Sequence, residues 1–202
     1  KIDMNTAQQI DKIFYEVLIA PDYDDDAIKL LMANAKRNLL KLKLWPDFQK
    51  VFKSLLNGVI VQDADISDES CQISVVKTIK KPTQAEMEDM DFGIKCAKHL
   101  KSNTIVLVKG KQMLGMGCGQ TSRIDACQQA IDKSKKYGFS LLGSVMISDA
   151  FFPFPDCVAL AKEEGVSAVA QPGGSIKDQL SIDFCNAHNI SMVFTGIRHF
   201  RH

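Results

Sequence analysis

The sequence lacks the features of several protein classes. No apolar run is long enough to span a bilayer, and no signal peptide opens the chain, so we expect neither a membrane anchor nor export. The formal net charge is only +1 over 202 residues, which gives no general attraction to nucleic acid or to an anionic membrane surface. The 46% hydrophobic share is that of an ordinary soluble globular protein.

The cysteines also lack any paired spacing. None of the six forms a C-x-x-C motif with another; they stand singly at Cys71, Cys96, Cys118, Cys127, Cys157 and Cys185. Scattered single thiols are typical of reduced, mostly buried cysteines in a cytoplasmic protein, which is the location we expect. The same spacing argues against a structural zinc site.

The most informative stretch that is present covers residues 102–123, SNTIVLVKGKQMLGMGCGQTSR. Two apolar runs separated by Lys-Gly predict a strand hairpin. Glycines follow, and then Ser122 with Asp125 at the spacing of a capping box, which predicts a helix start. Backbone N–H groups at a helix start are unpaired and electropositive, so this turn is a candidate binding site. A tight turn with an ordinary cap explains the stretch equally well.

Strand and helix patterns alternate along the second half of the chain. Strands are predicted at 104–108, 113–116, 141–147, 168–170 and 191–194, and helices at 83–100, 124–136, 158–164 and 176–187. Thr83 with Glu86 and Ser175 with Asp178 also have the spacing of a capping box. This alternation favours a layered α/β fold with largely parallel strands. The first half is predicted to hold helices over 6–18 and after the aspartates at 22–26, and strands at 39–44, 59–61 and 74–79.

Three turns in the second half, 117–122, 148–156 and 171–175, each follow a strand and open a helix. In a parallel sheet they would share the edge at which open α/β sheets bind ligands. The middle turn holds Phe151, Phe152 and Phe154, whose rings can plug the core or wall a pocket, and we expect a mixture with at least one ring facing the pocket. The C-terminal residues could be a frayed tail. They follow a strand that ends at the same edge, however, so Arg198 could bind a phosphate or carboxylate there.

Long motifs in the chain resemble a known family. They are KSNTIVLVKGKQMLGMGCGQTSRIDA, SDAFFPFPD, QPGGSIKD and TGIRHFRH, supported by TAQQIDKIFYEVLIAPDYDDDAIKLL and TIKKPTQAEMEDMDFGIKCAKHLKSN. Together they resemble the formyltransferase half of the bifunctional purine biosynthesis enzymes, which join aminoimidazole carboxamide ribonucleotide (AICAR) transformylase to IMP cyclohydrolase. The resemblance spans nearly the whole chain and places it in the C-terminal part of the transformylase.

The resemblance implies a fold and an activity. The fold is cytidine deaminase-like, a three-layer α/β/α arrangement with a mixed, mostly parallel sheet. Residues 1–70 would form a helical and linking segment, and residues 71–202 the α/β core. The activity is formyl transfer from 10-formyltetrahydrofolate to the 5-amino group of AICAR, with active sites at a homodimer interface. The implied partners are AICAR, the folate co-substrate and the N-terminal part of the same enzyme, including IMP cyclohydrolase.

The resemblance also implies roles for individual residues. The positions that match nucleotide contacts are Asn103, Arg123, Phe151, Arg198, Phe200 and His202. The positions on the folate side are Ile124, Pro153, Phe154, Asp156 and Ser175. A monovalent cation site, with potassium as the candidate ion, matches Ser102, Thr104 and Asp149. Among these, the ring of Phe151 would pack against the base, and the carboxylate of Asp156 would hold an amino-pyrimidine ring through paired hydrogen bonds.

One part of the family pattern is missing. The family's catalytic Lys-His pair lies in a segment N-terminal to Lys1, and the adjacent Lys98-His99 stands in a different motif at a helix end. We therefore expect this chain to supply binding residues without the main general base. A zinc deaminase would need H-x-E and P-C-x-x-C motifs, which the sequence does not contain. A non-catalytic nucleotide-binding or dimerisation module remains the alternative.

Overall fold

A computed structural model describes residues 1–45, 49–66 and 75–201 of the chain. The chain divides into two compact units, residues 1–64 and residues 65–202. The boundary predicted between residues 70 and 71 lies outside the described residues. Across the part that is described, no helix has both the length and the apolar character needed to cross a membrane.

The first unit contains short helices and two small sheets. Its elements are α1 (Met4–Ile10), β1 (Val17–Ala20), α2 (Asp25–Met32), β2 (Asn38–Lys41), β3 (Lys50–Leu55) and β4 (Gly58–Asp63). Strand β1 pairs with β2 in parallel, and β3 pairs with β4 as an antiparallel hairpin. The unit therefore contains four strands beside its two helices, whereas the family resemblance implied a helical and linking segment.

The helix predicted over residues 6–18 was wrong in its second half. Helix α1 begins after Asp3, whose side chain accepts a hydrogen bond from the backbone N–H of Thr6, and it ends at Ile10. Val17 instead begins strand β1, opposite Asn38. The apolar spacing of this stretch suits either structure, and pairing with a strand distant in sequence decided between them.

The second unit is built on one six-stranded sheet in the order β5-β10-β9-β8-β6-β7. Its strands are β5 (Val75–Val76), β6 (Ile105–Lys109), β7 (Gln112–Gly117), β8 (Val145–Ser148), β9 (Ala168–Gln171) and β10 (Ser191–Phe194). Its helices are α3 (Gln84–Ala97), α4 (Arg123–Lys136), α5 (Asp156–Glu163) and α6 (Asp178–Ala187). The alternation predicted for this half of the chain is confirmed.

The sheet is mixed and mostly parallel in strand direction, as predicted. Strands β7, β8, β9 and β10 run in one direction, whereas β6 and β5 run in the opposite direction. The hairpin explains the reversal of β6. Gly110 and Lys111 both have positive φ, 61° and 56°, and such a two-residue turn joins only antiparallel strands.

Helices cover both faces of this sheet, which confirms the three-layer arrangement. On one face, α3 packs on alternate residues of the strands, including Val106, Val108 and Ile147. On the other face, α4, α5 and α6 pack on the intervening residues, such as Leu107 and Met146. Helix α4 lies so close to β7 that a Cβ atom on Gly117 would collide with the backbone of α4. A glycine is therefore required there by the packing.

One of the predicted capping boxes is complete, and the one at the start of α4 is half formed. Thr83 accepts a hydrogen bond from the backbone N–H of Glu86, and the carboxylate of Glu86 accepts one from the backbone N–H of Thr83. Ser122 accepts from the N–H of Asp125 at the start of α4. Because these contacts join residues only three apart, the local sequence is sufficient to predict them.

Candidate functional site

The strand register brings all three predicted turns to one edge of the sheet. Ile105, which begins β6, lies opposite Gly117 at the end of β7 and opposite Ser148 at the end of β8. At the other side of β9, Gln171 lies opposite Phe194. The carboxyl ends of β7, β8, β9 and β10 therefore meet at this edge, which confirms the prediction of a shared edge.

Arg123 is the centre of a polar network at this edge. It is the first residue of α4, and its side chain is mostly buried. Its Nε atom donates to the hydroxyl of Ser148 over 3.0 Å, and its Nη2 atom donates to Asn103 Oδ1 over 2.9 Å and to Asp149 Oδ1 over 3.1 Å. The guanidinium therefore links the start of β6, the end of β8 and the start of α4.

Asp149 is fully buried within this network. Its Oδ1 atom also accepts a hydrogen bond from the backbone N–H of Thr104 over 3.2 Å. Its Oδ2 atom has no hydrogen-bond partner among the described residues. A buried carboxylate oxygen without a partner is costly, and a positive group beside it would stabilise the site.

The residues proposed for a monovalent cation fit that ion unequally. Asp149 provides the unpaired Oδ2 oxygen, and Thr104 provides a hydroxyl that donates to the carbonyl of Lys101 over 2.6 Å and keeps lone pairs for a cation. The hydroxyl of Ser102 instead accepts from the backbone N–H of Arg201. In the described ranges, no group of three or more histidine, cysteine, aspartate or glutamate side chains could hold a metal ion.

The aromatic turn divides its rings between core and surface, as the sequence suggested. Phe152 is fully buried, and its backbone N–H donates to the buried Gln171 side chain over 2.7 Å. Phe151 is half-buried, and Phe154 is 48% exposed. One ring therefore anchors the turn, and this leaves two rings available at the surface.

These two rings line an open cleft of about 490 Å³. The residues around it are Phe151, Pro153, Phe154, Gly174, Ser175, Ile176, Lys177 and Arg198. The guanidinium carbon of Arg198 lies 4.8 Å from the centre of the Phe151 ring, and Lys177 Nζ lies 4.2 Å from the centre of the Phe154 ring. The cleft thus combines flat apolar surface with positive charge and has no acidic side chain in its lining.

The glycine turn after β9 shapes one wall of the cleft. Gly173 has a φ of +73°, and a Cβ atom there would collide with the ring of Phe194. Asp178 Oδ2 accepts hydrogen bonds from the backbone N–H groups of Gly174 and Ser175 over 2.7 and 3.1 Å. Of the capping box predicted for Ser175 and Asp178, only the bond from the Ser175 N–H to the Asp178 carboxylate is present, and Lys177 is the N-cap residue. Helix α6, however, begins at Asp178, two residues later than predicted.

The C-terminal tail is docked at the same edge and is not frayed over its described length. The backbone N–H of His199 donates to the carbonyl of Asp149 over 2.9 Å, and Ser102 and Arg201 exchange hydrogen bonds. His199 is 4% exposed, and its Nδ1 atom lies 2.6 Å from a carboxylate oxygen of Asp65. These contacts place Arg198 at the cleft.

The sequence is similar to a known protein family over most of its length. Residues 1–133 match the family described as the AICARFT/IMPCHase bienzyme. The chain belongs to this bienzyme family. Over its full length it is 54% identical to the bifunctional purine biosynthesis protein PurH of Bacteroides thetaiotaomicron and 46% identical to PurH of Aquifex aeolicus. It covers 40% and 39% of those two proteins, so it spans about two fifths of the curated relatives that it matches.

Solved structures that resemble the chain are deaminases. A dCMP deaminase from the cyanophage S-TIM5 has a TM-score of 0.39 at 19% identity, with coverage of 49% of this chain and 90% of the deaminase. A bifunctional deaminase/reductase of Thermotoga maritima has a TM-score of 0.38 at 22% identity, with 55% and 35% coverage.

The residues predicted from the sequence to form the site fall into three groups. One group surrounds Asp149, namely Ser102, Asn103, Thr104 and Arg123. A second lines the cleft, namely Phe151, Pro153, Phe154, Ser175 and Arg198. The third lies elsewhere: Ile124 packs against the hydrophobic core, and Asp156 is an exposed first residue of α5. Phe200 is half-buried in the docked tail, and His202 lies outside the described residues.

Three residues at this edge were not predicted from the sequence to belong to the site. Lys177 is in the QPGGSIKD motif and could have been noticed there, because it lies three residues after Gly174. Gln171 and His199 are polar residues that only burial identifies, since both are almost completely enclosed in the folded chain. No local pattern distinguishes a buried histidine from an exposed one.

Proposed function

We propose that this chain is the C-terminal, ligand-binding part of an AICAR transformylase. In the proposed reaction, the formyl group of 10-formyltetrahydrofolate passes to the 5-amino group of AICAR. The observation that carries the proposal is the cleft, in which Arg198 and Lys177 each lie over a phenyl ring with no acidic side chain in the lining. A flat ligand with negative charge fits this combination. Membership of a bienzyme family supports an enzyme over a non-catalytic module.

Arg198 and Phe151 are the proposed nucleotide contacts in the cleft. The guanidinium lies over one face of the ring, so a flat surface and a fork of N–H donors are offered side by side. In the described part of the chain, Arg198 has no ion-pair partner that would compete with a phosphate. Phe200 and His202 are assigned to the same site through the family resemblance.

Arg123 and Asn103 are proposed to prepare the neighbouring part of the site. The side-chain nitrogen of Asn103 donates to the backbone carbonyls of Gln120 and Thr121. Arg123 uses Nε and Nη2 within the protein, and its Nη1 atom has no partner among the described residues. Nη1 is therefore available to a ligand oxygen, whereas Asn103 acts mainly by holding the guanidinium in place.

The transfer also needs a proton acceptor for the attacking amine and a donor for the departing folate nitrogen. The residues around the cleft include no carboxylate and no imidazole. We therefore assign the general base to residues outside this cleft, in agreement with the family's Lys-His pair. A homodimer that completes the site, and the folate contacts of Ile124, Pro153, Phe154, Asp156 and Ser175, belong to the same proposal.

A monovalent cation such as potassium belongs to the proposal in a supporting role. Asp149 Oδ2 and the hydroxyl of Thr104 would hold it. Bound there, the ion would supply positive charge beside a carboxylate that is otherwise only partly compensated by Arg123.

The test is Arg198→Ala in the complete protein, with AICAR and the folate titrated separately by calorimetry. A charge-assisted hydrogen bond shielded from water contributes roughly 1.5–3 kcal/mol, so AICAR affinity should fall about ten- to hundredfold. Folate affinity should change much less. Arg201→Ala is the matched control, because Arg201 is in the same tail but donates to the carbonyl of His99.

Two results would contradict the proposal. Equal losses for both ligands in Arg198→Ala would indicate a folding defect, and equal losses of AICAR affinity in the two variants would assign the effect to tail docking. Failure of the unchanged protein to bind either ligand would overturn the proposed function itself.

A further inference from the structure

Lys177 occupies a defined position at the outer part of the cleft. It is the N-cap residue of α6, and its backbone N–H donates to the hydroxyl of Ser175 over 3.1 Å. Ser175 is in turn held by Asp178 through its backbone N–H. The backbone that carries Lys177 is therefore fixed by hydrogen bonds on both sides, which limits the positions that its side chain reaches.

The ammonium of Lys177 lies over the Phe154 ring and is not neutralised by an acid. In the residues that the structure describes, Lys177 makes no salt bridge. Its neighbour Asp178 uses Oδ2 on the N–H groups of Gly174 and Ser175. A lysine that makes only a cation–π contact keeps its N–H donors for another group. The site can thus accept a negatively charged group beside the ring.

The surface around this ammonium is unusually apolar for an exposed turn. Phe154 is 48% exposed, and the side chain of Ile176 is fully exposed in the cleft lining. Pro153 completes an apolar wall next to a single positive charge. A ligand that follows this wall should carry an aromatic or aliphatic body that ends in an anion. Arg198 provides positive charge at the Phe151 ring, so the cleft recognises anions at two separate places.

We propose that Lys177 is a specificity-determining residue that recognises a glutamyl carboxylate of the folate. This inference rests on the proposed function. A folate joins its pterin to an aminobenzoyl ring and then to glutamate, which matches an apolar wall followed by a cation. The ammonium is a compact donor, and it pairs with a carboxylate without requiring the planar, two-point geometry that a guanidinium favours.

The experiment measures binding of two folates to the complete protein by calorimetry, one with its glutamate and one in which a methylamide replaces the glutamate, so that no carboxylate remains. Because the ion pair is partly exposed, Lys177→Ala should weaken binding of the glutamyl ligand about three- to tenfold. Binding of the pteroyl methylamide should change less than about twofold, and AICAR affinity should stay the same. Lys177→Arg should restore most of the loss, because it keeps the charge and the contact with the ring.

Lys136→Ala is the matched control. Lys136 is also an exposed lysine over an aromatic ring, with its Nζ atom 5.9 Å from the centre of the Tyr137 ring. It stands at the far end of α4, about 20 Å along the helix axis from Arg123. Its removal should leave both folate affinities unchanged.

Equal losses for the glutamyl ligand and the pteroyl methylamide would overturn the inference, because Lys177 would then act by packing on Phe154. The absence of any loss would also overturn it, and the proposed function would stand as long as Arg198→Ala still weakens AICAR binding. If the unchanged protein binds neither AICAR nor a folate, the proposed function fails and this inference fails with it.

Discussion

Strands β4 and β8 have similar sequences and opposite environments. Every residue of β4, GVIVQD, is exposed, and every residue of β8, VMIS, is buried. Strand β8 lies between β6 and β9, with helices on both faces of the sheet, whereas β4 is paired with β3 alone in the described residues. An apolar, β-branched run thus predicts a strand, but the layers that later cover it decide whether it is buried.

The ion pairs of the two units also differ in how deeply their side chains are buried. Arg123 and Asp149 form a pair in which the carboxylate is fully buried and the guanidinium side chain is 11% exposed. In the first unit, Lys41 and Asp22 are separated by 2.7 Å, but their side chains are 65% and 43% exposed. Distance alone does not rank these pairs, because water screens the exposed charges.

The largest expected difference is between Arg123→Ala and Lys41→Ala. Removing Arg123 leaves the carboxylate of Asp149 buried and unpaired, which should cost about 3–5 kcal/mol in the free energy of unfolding. Removing Lys41 should cost less than about 1 kcal/mol. Urea unfolding followed by circular dichroism measures both. Adding Asp149→Asn to Arg123→Ala should recover part of the lost stability. Similar costs for Arg123→Ala and Lys41→Ala would show that burial does not separate the two ion pairs.

A second pair of variants compares the strands directly. Ile147 in β8 is 1% exposed, and Ile60 in β4 is 51% exposed. Ile147→Ala should cost about 2–5 kcal/mol because it opens a cavity, whereas Ile60→Ala should change stability by less than about 0.5 kcal/mol. Denaturant unfolding measures the difference, with Ile147→Val as an intermediate case. A large cost at Ile60 would show that β4 is covered in solution.

The smallest expected effect concerns acid stability. Burial favours a raised pKa for Glu86, but hydrogen bonds from Ser167 and Thr83 and the nearby ammonium of Lys80 outweigh it and lower the pKa below 4.5. A lowered pKa stabilises the folded state above about pH 4.5, and the contribution disappears as the pH falls through the folded-state value.

Glu86→Gln should therefore lower stability near pH 7 and flatten its decline below about pH 4.5. Asp22→Asn in the first unit is the control. The pKa of Asp22 is also lowered, mainly by its hydrogen bond from Lys41, but its carboxylate is exposed. Thermal unfolding between pH 3 and pH 7 measures both variants. Equal flattening in the two would mean that burial makes no difference.

Local contacts account for what could be predicted of the candidate site. The hairpin turn at Gly110 and Lys111, the Thr83 capping box and the capped start of α4 involve residues at most a few positions apart. The rings of the aromatic turn were recognised because proline and phenylalanine together fit neither a helix nor a strand interior. The shared edge followed from the direction in which strands lead into helices.

The amino-acid sequence by itself determined these local elements and the chemistry available at each turn. Only the tertiary structure decided which groups meet: Arg123 reaches Asp149 across 26 positions, and His199 reaches Asp65 across 134. It also decided that β1 replaces the second half of a predicted helix, and that β8 is buried while β4 is exposed. The reason is that such contacts depend on pairing and layering between distant segments, which no local period or cap encodes.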